Sequence, residues 1–114
     1  METKKLLLLT IENCTLDCGR NSVELSAKEL MILIKLFVRR EKAAFVSPVT
    51  LNREIWKEEE FRGKRDSQKI RYYLFRMKKK ISDSLHIEDI FYSVHGKGYK
   101  LNDAVDLKIQ IVEE

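Results

Sequence analysis

The stretch VHGKGYKL, residues 94–101 of the 114-residue chain, decides which fold the sequence can adopt. Strand-forming residues flank His95-Gly96-Lys97-Gly98, and the glycines permit the positive φ angles of a tight turn. The pattern predicts strands over residues 90–94 and 99–101, joined as a hairpin with His95 and Lys97 at its tip. Alone, such a turn indicates a hairpin and nothing more. It lacks the glycines and the following helix of a nucleotide-binding loop.

The segment before this hairpin predicts an amphipathic helix over residues 67–82, capped by Ser67. Its apolar positions recur at i, i+4, i+7 and i+11: Ile70, Leu74, Met77 and Ile81. The other positions include Lys69, Tyr72, Tyr73, Arg76, Lys78, Lys79 and Lys80. Arginine can bind guanine through two hydrogen bonds, tyrosine can pack on a thymine methyl group, and lysine neutralises phosphate.

The charge of the chain is concentrated in this segment. The net charge of +4 divides into zero over residues 1–61, +8 over residues 62–80 and −4 over residues 81–114. A solvated helix face usually mixes both signs, but no acidic residue lies between Ser67 and Ile81. The pattern therefore favours nucleic-acid binding over a merely solvated surface.

The rest of the chain predicts an α+β fold. The first 25 residues read as two or three short antiparallel strands. Ser26 and Glu29 form a capping box for a first helix. Ser47-Pro48 begins a second helix that buries Leu51, Ile55 and Trp56. A loop follows over residues 57–66. Residues 103–114 form an acidic tail beyond the domain of residues 1–102, and their alternation allows one more strand that pairs with the N-terminal leucines.

Composition excludes several classes of protein. A chain of 114 residues with 44% hydrophobic residues fits one domain with a core of its own. The longest apolar run, residues 6–9, is too short for a membrane span. Cys14 and Cys18 are too few for a disulfide scaffold, which predicts a reduced, cytoplasmic protein. They are too widely spaced for a zinc half-site, so we expect no metal. No catalytic motif is present, so we expect neither an enzyme nor a cofactor.

Two features leave alternatives open. The Glu58–Glu60 run reads as solvated charge or as an interaction surface. Phe61 reads equally as an anchor for a partner protein or as a plug over the core.

Taken together, these residues resemble the winged helix-turn-helix DNA-binding domain of OmpR/PhoB-type bacterial response regulators. The resemblance covers roughly residues 5–102, in matching order and spacing. Residues 25–33 resemble the first helix and residues 46–56 the second, including the closing Trp56. Residues 70–81 resemble the recognition helix, and the Gly-x-Gly-Tyr pattern of residues 96–99 resembles the wing.

The resemblance implies an N-terminal antiparallel sheet, a three-helix core, a C-terminal hairpin wing and a non-enzymatic regulator that binds double-stranded DNA in a two-component system. It assigns base-edge contacts to Lys69, Tyr72, Tyr73 and Arg76, and phosphate contacts to Ser47, Thr50, Lys78, Lys79 and Lys80. It assigns wing contacts to His95 and Lys97. It leaves open a contact with RNA polymerase through residues 57–66 and a homodimer on DNA.

The sequence also departs from the family pattern. We expect no receiver domain, and so no phosphorylation switch, in this chain. His95 stands where the family commonly has arginine, and Arg71 where it usually has an acidic residue. The acidic tail supports an alternative function, in which a winged-helix fold binds proteins while its DNA-binding face is masked or lost.

Overall fold

A computed structural model describes residues 4–42, 44–57 and 62–111 of the chain. Its elements, in chain order, are β1 (Lys5–Thr10), β2 (Thr15–Cys18), β3 (Asn21–Glu24), α1 (Ala27–Glu41), α2 (Pro48–Glu54), α3 (Lys64–Leu85), β4 (Phe91–Val94), β5 (Gly98–Leu101) and β6 (Val105–Gln110). The fold is α+β, with an N-terminal sheet, three helices and a C-terminal hairpin. In the described part of the chain, no helix is both long and apolar enough to cross a membrane.

The larger sheet has the strand order β3-β2-β1-β6. β1 pairs antiparallel with β2 and parallel with β6, in a register that runs from Lys5 opposite Val105 to Thr10 opposite Gln110. The predicted strand after residue 104 is thus present, and it pairs with the N-terminal leucines. Its parallel direction makes the sheet mixed rather than purely antiparallel.

One face of this sheet carries the core. Side chains alternate between the faces of a strand, and Leu7 and Leu9 of β1 are fully buried whereas Leu6 is exposed. Leu16 of β2 and Leu107 of β6 lie buried on the same side. The helices cover this face, and α1 also packs against β5.

α1 begins with the predicted capping box. The Ser26 hydroxyl accepts from the Glu29 backbone N–H (3.1 Å), and the Ser26 N–H donates to the Glu29 carboxylate (2.7 Å). These reciprocal bonds satisfy N–H groups that the first turn leaves without helical partners. Near the other end of α1, Arg40 donates to the backbone carbonyls of Asn102 and Val105 and so holds the turn before β6.

α2 is shorter than the sequence pattern indicated. The Ser47 hydroxyl caps it by accepting from the Thr50 backbone N–H, and Pro48 occupies its first position as predicted. Leu51 is fully buried, but α2 ends at Glu54. Ile55 and Trp56 therefore lie beyond the helix, and Trp56 is only partly buried.

The predicted start of α3 at Ser67 is wrong, because the helix begins three residues earlier, at Lys64. The buried Asp66 carboxylate accepts from the Arg62 backbone N–H (2.7 Å), so Asp66 satisfies a donor at the helix start without a serine cap. α3 also continues past residue 82 to Leu85, and His86 ends it in the left-handed conformation. Residues 64–66 thus belong to the helix rather than to the predicted loop. The Glu58–Glu60 run and Phe61 lie outside the described residues.

Cys14 lies in the turn before the second strand. Its φ of 54° is left-handed, so the backbone turns there and β2 begins at Thr15. Both cysteines are free thiols and partly buried.

The hairpin forms around the stretch that decided the fold. β4 and β5 pair antiparallel from Phe91 opposite Leu101 to Val94 opposite Gly98. The Lys97 N–H donates to the Val94 carbonyl (2.9 Å) and closes the turn at the tip. An additional bridge between Val46 and Tyr99 ties the hairpin to the segment before α2.

Candidate nucleic-acid interface

The longest helix presents a basic and aromatic face to solvent. Ile70, Leu74, Met77 and Ile81 of α3 are all buried and attach the helix to the core, as the apolar stripe predicted. The exposed positions between residues 68 and 79 are Gln68, Arg71, Tyr72, Phe75, Arg76 and Lys79. The sequence places no acidic residue in this interval.

Tyr72 and Arg76 lie together on this exposed face. The Tyr72 side chain is 63% exposed, and the Arg76 guanidinium carbon lies 5.8 Å from the centroid of its ring. Stacking of this kind limits the motion of a long side chain and leaves its N–H donors free to bind. Both side chains are therefore available to a partner that approaches this face.

Lys69 points toward α2 instead. Its ammonium donates to the Asn52 side-chain oxygen (3.0 Å), lies 3.6 Å from the Asp66 carboxylate and stands 5.4 Å from the centroid of the Trp56 ring. These contacts place Lys69 in the junction between α2 and α3.

Tyr73 also turns away from the exposed face. Its hydroxyl lies 2.9 Å from the Ser26 hydroxyl, and its ring packs edge-on against Trp56 at 5.2 Å between centroids. The structure thus divides the four predicted base-edge residues into two pairs. Tyr72 and Arg76 lie on the open face, whereas Lys69 and Tyr73 bind neighbouring elements.

The three lysines at residues 78–80 each meet a carboxylate. Lys78 pairs with Asp89 (2.8 Å), Lys79 with Asp83 (3.5 Å) and Lys80 with Glu29 (2.9 Å). The Lys79–Asp83 pair is about two-thirds exposed on both sides, so water screens it and its energy is small. Of the three, Lys79 lies on the fully open face.

Ser47 and Thr50 form the start of α2. The Ser47 hydroxyl donates to the Thr50 hydroxyl oxygen (3.1 Å) in addition to its capping bond. Ser47 lines a groove that continues past Arg71 of α3 to His95 and Lys97 at the hairpin tip. The groove brings the predicted contacts of α2 and of the hairpin to one side of the molecule.

The hairpin tip is open to solvent. His95 and Lys97 are both exposed, and the Lys97 ammonium lies 5.8 Å from the centroid of the Phe45 ring.

Burial raises the pKa of the Tyr99 hydroxyl, and the positive charge of Arg71 opposes that rise. Arg71 and Tyr99 therefore lie close together, where α3 meets the hairpin.

Three exposed residues, Gln68, Arg71 and Phe75, belong to this face but were not predicted as DNA contacts from the sequence. Phe75 was overlooked because the apolar stripe accounts for the core side of α3 without it. The signal was available, since Phe75 follows Tyr72 by three residues and Arg71 by four, a spacing that puts side chains on one face of a helix. Among the described residues, no group of three or more His, Cys, Asp or Glu side chains could hold a metal ion.

Comparison with known proteins gives three findings. A family described as "Transcriptional regulatory protein, C terminal" matches residues 19–101. The C-terminal domain of the nisin resistance regulator NsrR, a lantibiotic response regulator, is 26% identical with a TM-score of 0.57, covering 81% of this chain and 87% of that one. The DNA-binding domain of Escherichia coli CadC is 16% identical with a TM-score of 0.58, covering 88% and 94%. No curated protein matches the chain.

Proposed function

Because the chain belongs to the family of C-terminal domains of transcriptional regulatory proteins, we propose that it reads a specific DNA sequence through α3 and the β4–β5 hairpin. The family binds double-stranded DNA to regulate transcription in bacteria and is not an enzyme family. We assign individual residues to the base edges or to the phosphates from their positions on the exposed face.

A single observation carries the proposal: the open face of α3 has cations and aromatic rings but no acid over residues 68–79. The potential above such a face attracts the phosphate backbone, and its side chains can then reach the base edges. The apolar stripe holds α3 rigidly on the core, so the face meets DNA as a preformed surface.

We assign Tyr72 and Arg76 to the base edges, because both lie on the open face. Lys69 and Tyr73 are proposed as base contacts only in a bound state in which they leave Asn52 and Ser26. Lys78, Lys79 and Lys80 would exchange their carboxylate partners for phosphates. Ser47 and Thr50, at the start of α2, would meet the backbone of the same duplex.

The hairpin tip is the proposed second contact. His95 and Lys97 lie at the end of the groove that begins at Ser47, so they would follow the duplex beyond α3. A tip of this size suits the minor groove or its flanking phosphates.

The proposal is tested by mobility shift on random-sequence duplexes with salt titrated. Affinity should fall steeply as salt rises. The logarithm of the binding constant should fall against the logarithm of the salt concentration with a slope of roughly −0.9 for each phosphate contact.

Arg76→Ala should cost on the order of 1–3 kcal/mol of binding free energy on the preferred sequence and relax the sequence preference. Lys79→Ala should weaken all sequences about equally. No retention of any duplex at low salt would contradict the proposal.

Lys42→Ala supplies the matched control. It removes the same charge as Lys79→Ala, and Lys42 is also exposed, but it lies at the end of α1 rather than on α3. If the two variants weakened binding to the same extent, net charge rather than the α3 face would explain the affinity.

Three broader expectations stay with this proposal. A contact with RNA polymerase through residues 57–66 and a homodimer on DNA rest on the family resemblance, and residues 58–61 of that loop lie outside the described residues. A cytoplasmic location is supported by the free thiols of Cys14 and Cys18 and by the location of bacterial DNA.

A further inference from the structure

We propose that Phe75, together with Tyr72, recognises thymine methyl groups in the major groove, so that the target sequence of this protein carries thymines at the positions that α3 covers. This inference rests on the proposed function, because it names the base chemistry that the same face recognises.

The first step is the exposure of Phe75. Its side chain is 64% exposed, although a phenylalanine loses favourable burial free energy when it faces water. The core side of α3 is completed by Ile70, Leu74 and Met77, all at most 2% exposed, so packing does not require a large apolar side chain at residue 75. The ring is therefore available to a partner.

The second step is the direction in which the two rings point. An α-helix turns by about 100° per residue, so Tyr72 lies about 10° and Phe75 about 50° from the direction directly opposite the buried stripe. Both rings therefore lie on the exposed half of α3, with Tyr72 at its centre and Phe75 on the side of the hairpin. A duplex that approaches this face meets both rings.

The third step is the charge around the rings. Arg71 precedes Phe75 by one turn, Lys79 follows it by one turn, and Arg76 is its neighbour. Cations on both sides of an apolar centre match a groove whose walls are phosphates and whose floor is bases. A protein partner with an apolar surface would gain little from so many cations around two rings, whereas the phosphates of a duplex would bind them.

The fourth step is the chemistry of the groove floor. In the major groove, the thymine C5-methyl group is the apolar feature that a base edge presents, while the other edges present hydrogen-bond donors and acceptors. A phenyl ring has no donor or acceptor, so it cannot satisfy the edges of guanine, adenine or cytosine. Thymine also presents its O4 acceptor, but its methyl group projects into the groove, so thymine is the base on which Phe75 can bury apolar surface.

The test removes that methyl group alone. A duplex is selected from a random pool with the wild-type protein and is then remade with uracil in place of thymine, one position at a time. Uracil pairs as thymine does and lacks only the methyl group. At one or two positions we expect the wild-type affinity to fall by about three- to tenfold, as burial of a methyl group implies.

The variants assign the effect to the ring. At the thymine that Phe75 covers, Phe75→Ala should bind the thymine and uracil duplexes equally, and Phe75→Leu should keep part of the difference. Lys79→Ala is the matched control on the same face, and it should weaken both duplexes by one factor and leave their ratio unchanged. Because Phe75 is exposed, the alanine variant should melt at nearly the wild-type temperature.

Two results would overturn the inference. One is an unchanged wild-type affinity after replacement of every thymine by uracil, a measurement that needs no variant. The other is a full thymine preference in Phe75→Ala. In both cases the duplexes are still retained, so the proposed function stands. Failure to retain any duplex would instead reject the proposed function itself.

Discussion

Gly98 fixes how closely the hairpin approaches the segment before α2. Its φ is +118°, a value that other residues rarely adopt, and a Cβ atom built on it would lie 2.4 Å from the Val46 carbonyl oxygen. That carbonyl accepts from the Tyr99 N–H at 2.8 Å, so the backbone cannot move away without losing a hydrogen bond. Because Gly98 has no Cβ atom, the hairpin backbone can approach the backbone at Val46 this closely.

We therefore expect Gly98→Ala to lower the free energy of unfolding by on the order of 2 kcal/mol or more, from backbone strain and from loss of the bridge to Val46. Urea denaturation followed by circular dichroism measures the change. Gly96→Ala is the control, because Gly96 also has a positive φ but has open space around it, and it should cost about 1 kcal/mol. Equal losses in the two variants would show that the approach to Val46 contributes nothing.

At the scale of one element, the start of α3 depends on a buried carboxylate. Asp66 is 2% exposed, accepts from the Arg62 backbone N–H and lies near the charges of Arg62 (3.7 Å) and Lys69 (3.6 Å). The backbone hydrogen bond, helped by these cations, lowers the pKa of the Asp66 carboxyl below its ordinary value. The native state therefore binds this proton less tightly than the unfolded chain does.

This shift predicts an acid-sensitive contribution to stability. A lowered pKa gives stability that is fully present above the unfolded value of about 3.9 and is lost as the pH falls through the native value. Asp66→Asn should destabilise the protein at pH 7 and should flatten the dependence of its stability on pH below about pH 4. Urea midpoints measured from pH 2 to pH 7 check this. If the urea midpoint of Asp66→Asn fell with pH as steeply as that of the wild type, Asp66 would not be the source of the acid sensitivity.

At the scale of the whole molecule, β6 joins the end of the chain to its beginning. Val105 and Leu107 of β6 are buried, and the whole strand pairs with β1. The described acidic residues of the tail bind nearby cations rather than α3, since Asp103 pairs with Lys100 and Asp106 with Arg40. The tail is thus part of the sheet, and these two carboxylates do not mask the proposed DNA-binding face.

Removal of residues 103–114 should consequently unfold much of the domain. Burial of two large aliphatic side chains is worth roughly 3–6 kcal/mol, which is comparable with the whole stability of a small domain. Thermal melting followed by circular dichroism would show a large drop in the midpoint or no cooperative transition. The double variant Glu113→Gln, Glu114→Gln is the control, because it neutralises acidic residues of the tail and keeps β6. If the truncated chain melted like the wild type, β6 would be dispensable.

The sequence by itself determined the features that depend on residues within one helical turn or one strand. The Ser26 capping box, the Ser47-Pro48 helix start, the apolar stripe of α3 and the glycine turn of the hairpin are all local signals, because the interacting groups lie at most four residues apart. The start of α3 is the exception. Ser67 is a good cap by its side chain, but the helix begins at Lys64, and the buried Asp66 carboxylate accepts from the Arg62 N–H ahead of it.

The tertiary structure alone decided in which direction the two ends of the chain pair and which side chains of α3 stay exposed. The parallel pairing of β6 with β1 joins residues about a hundred positions apart, and no local pattern specifies its direction. The division of the polar side of α3 depends on the same packing. Ser26 and Asn52 hydrogen-bond to Tyr73 and Lys69, whereas the side chains of Tyr72, Phe75 and Arg76 are exposed to solvent.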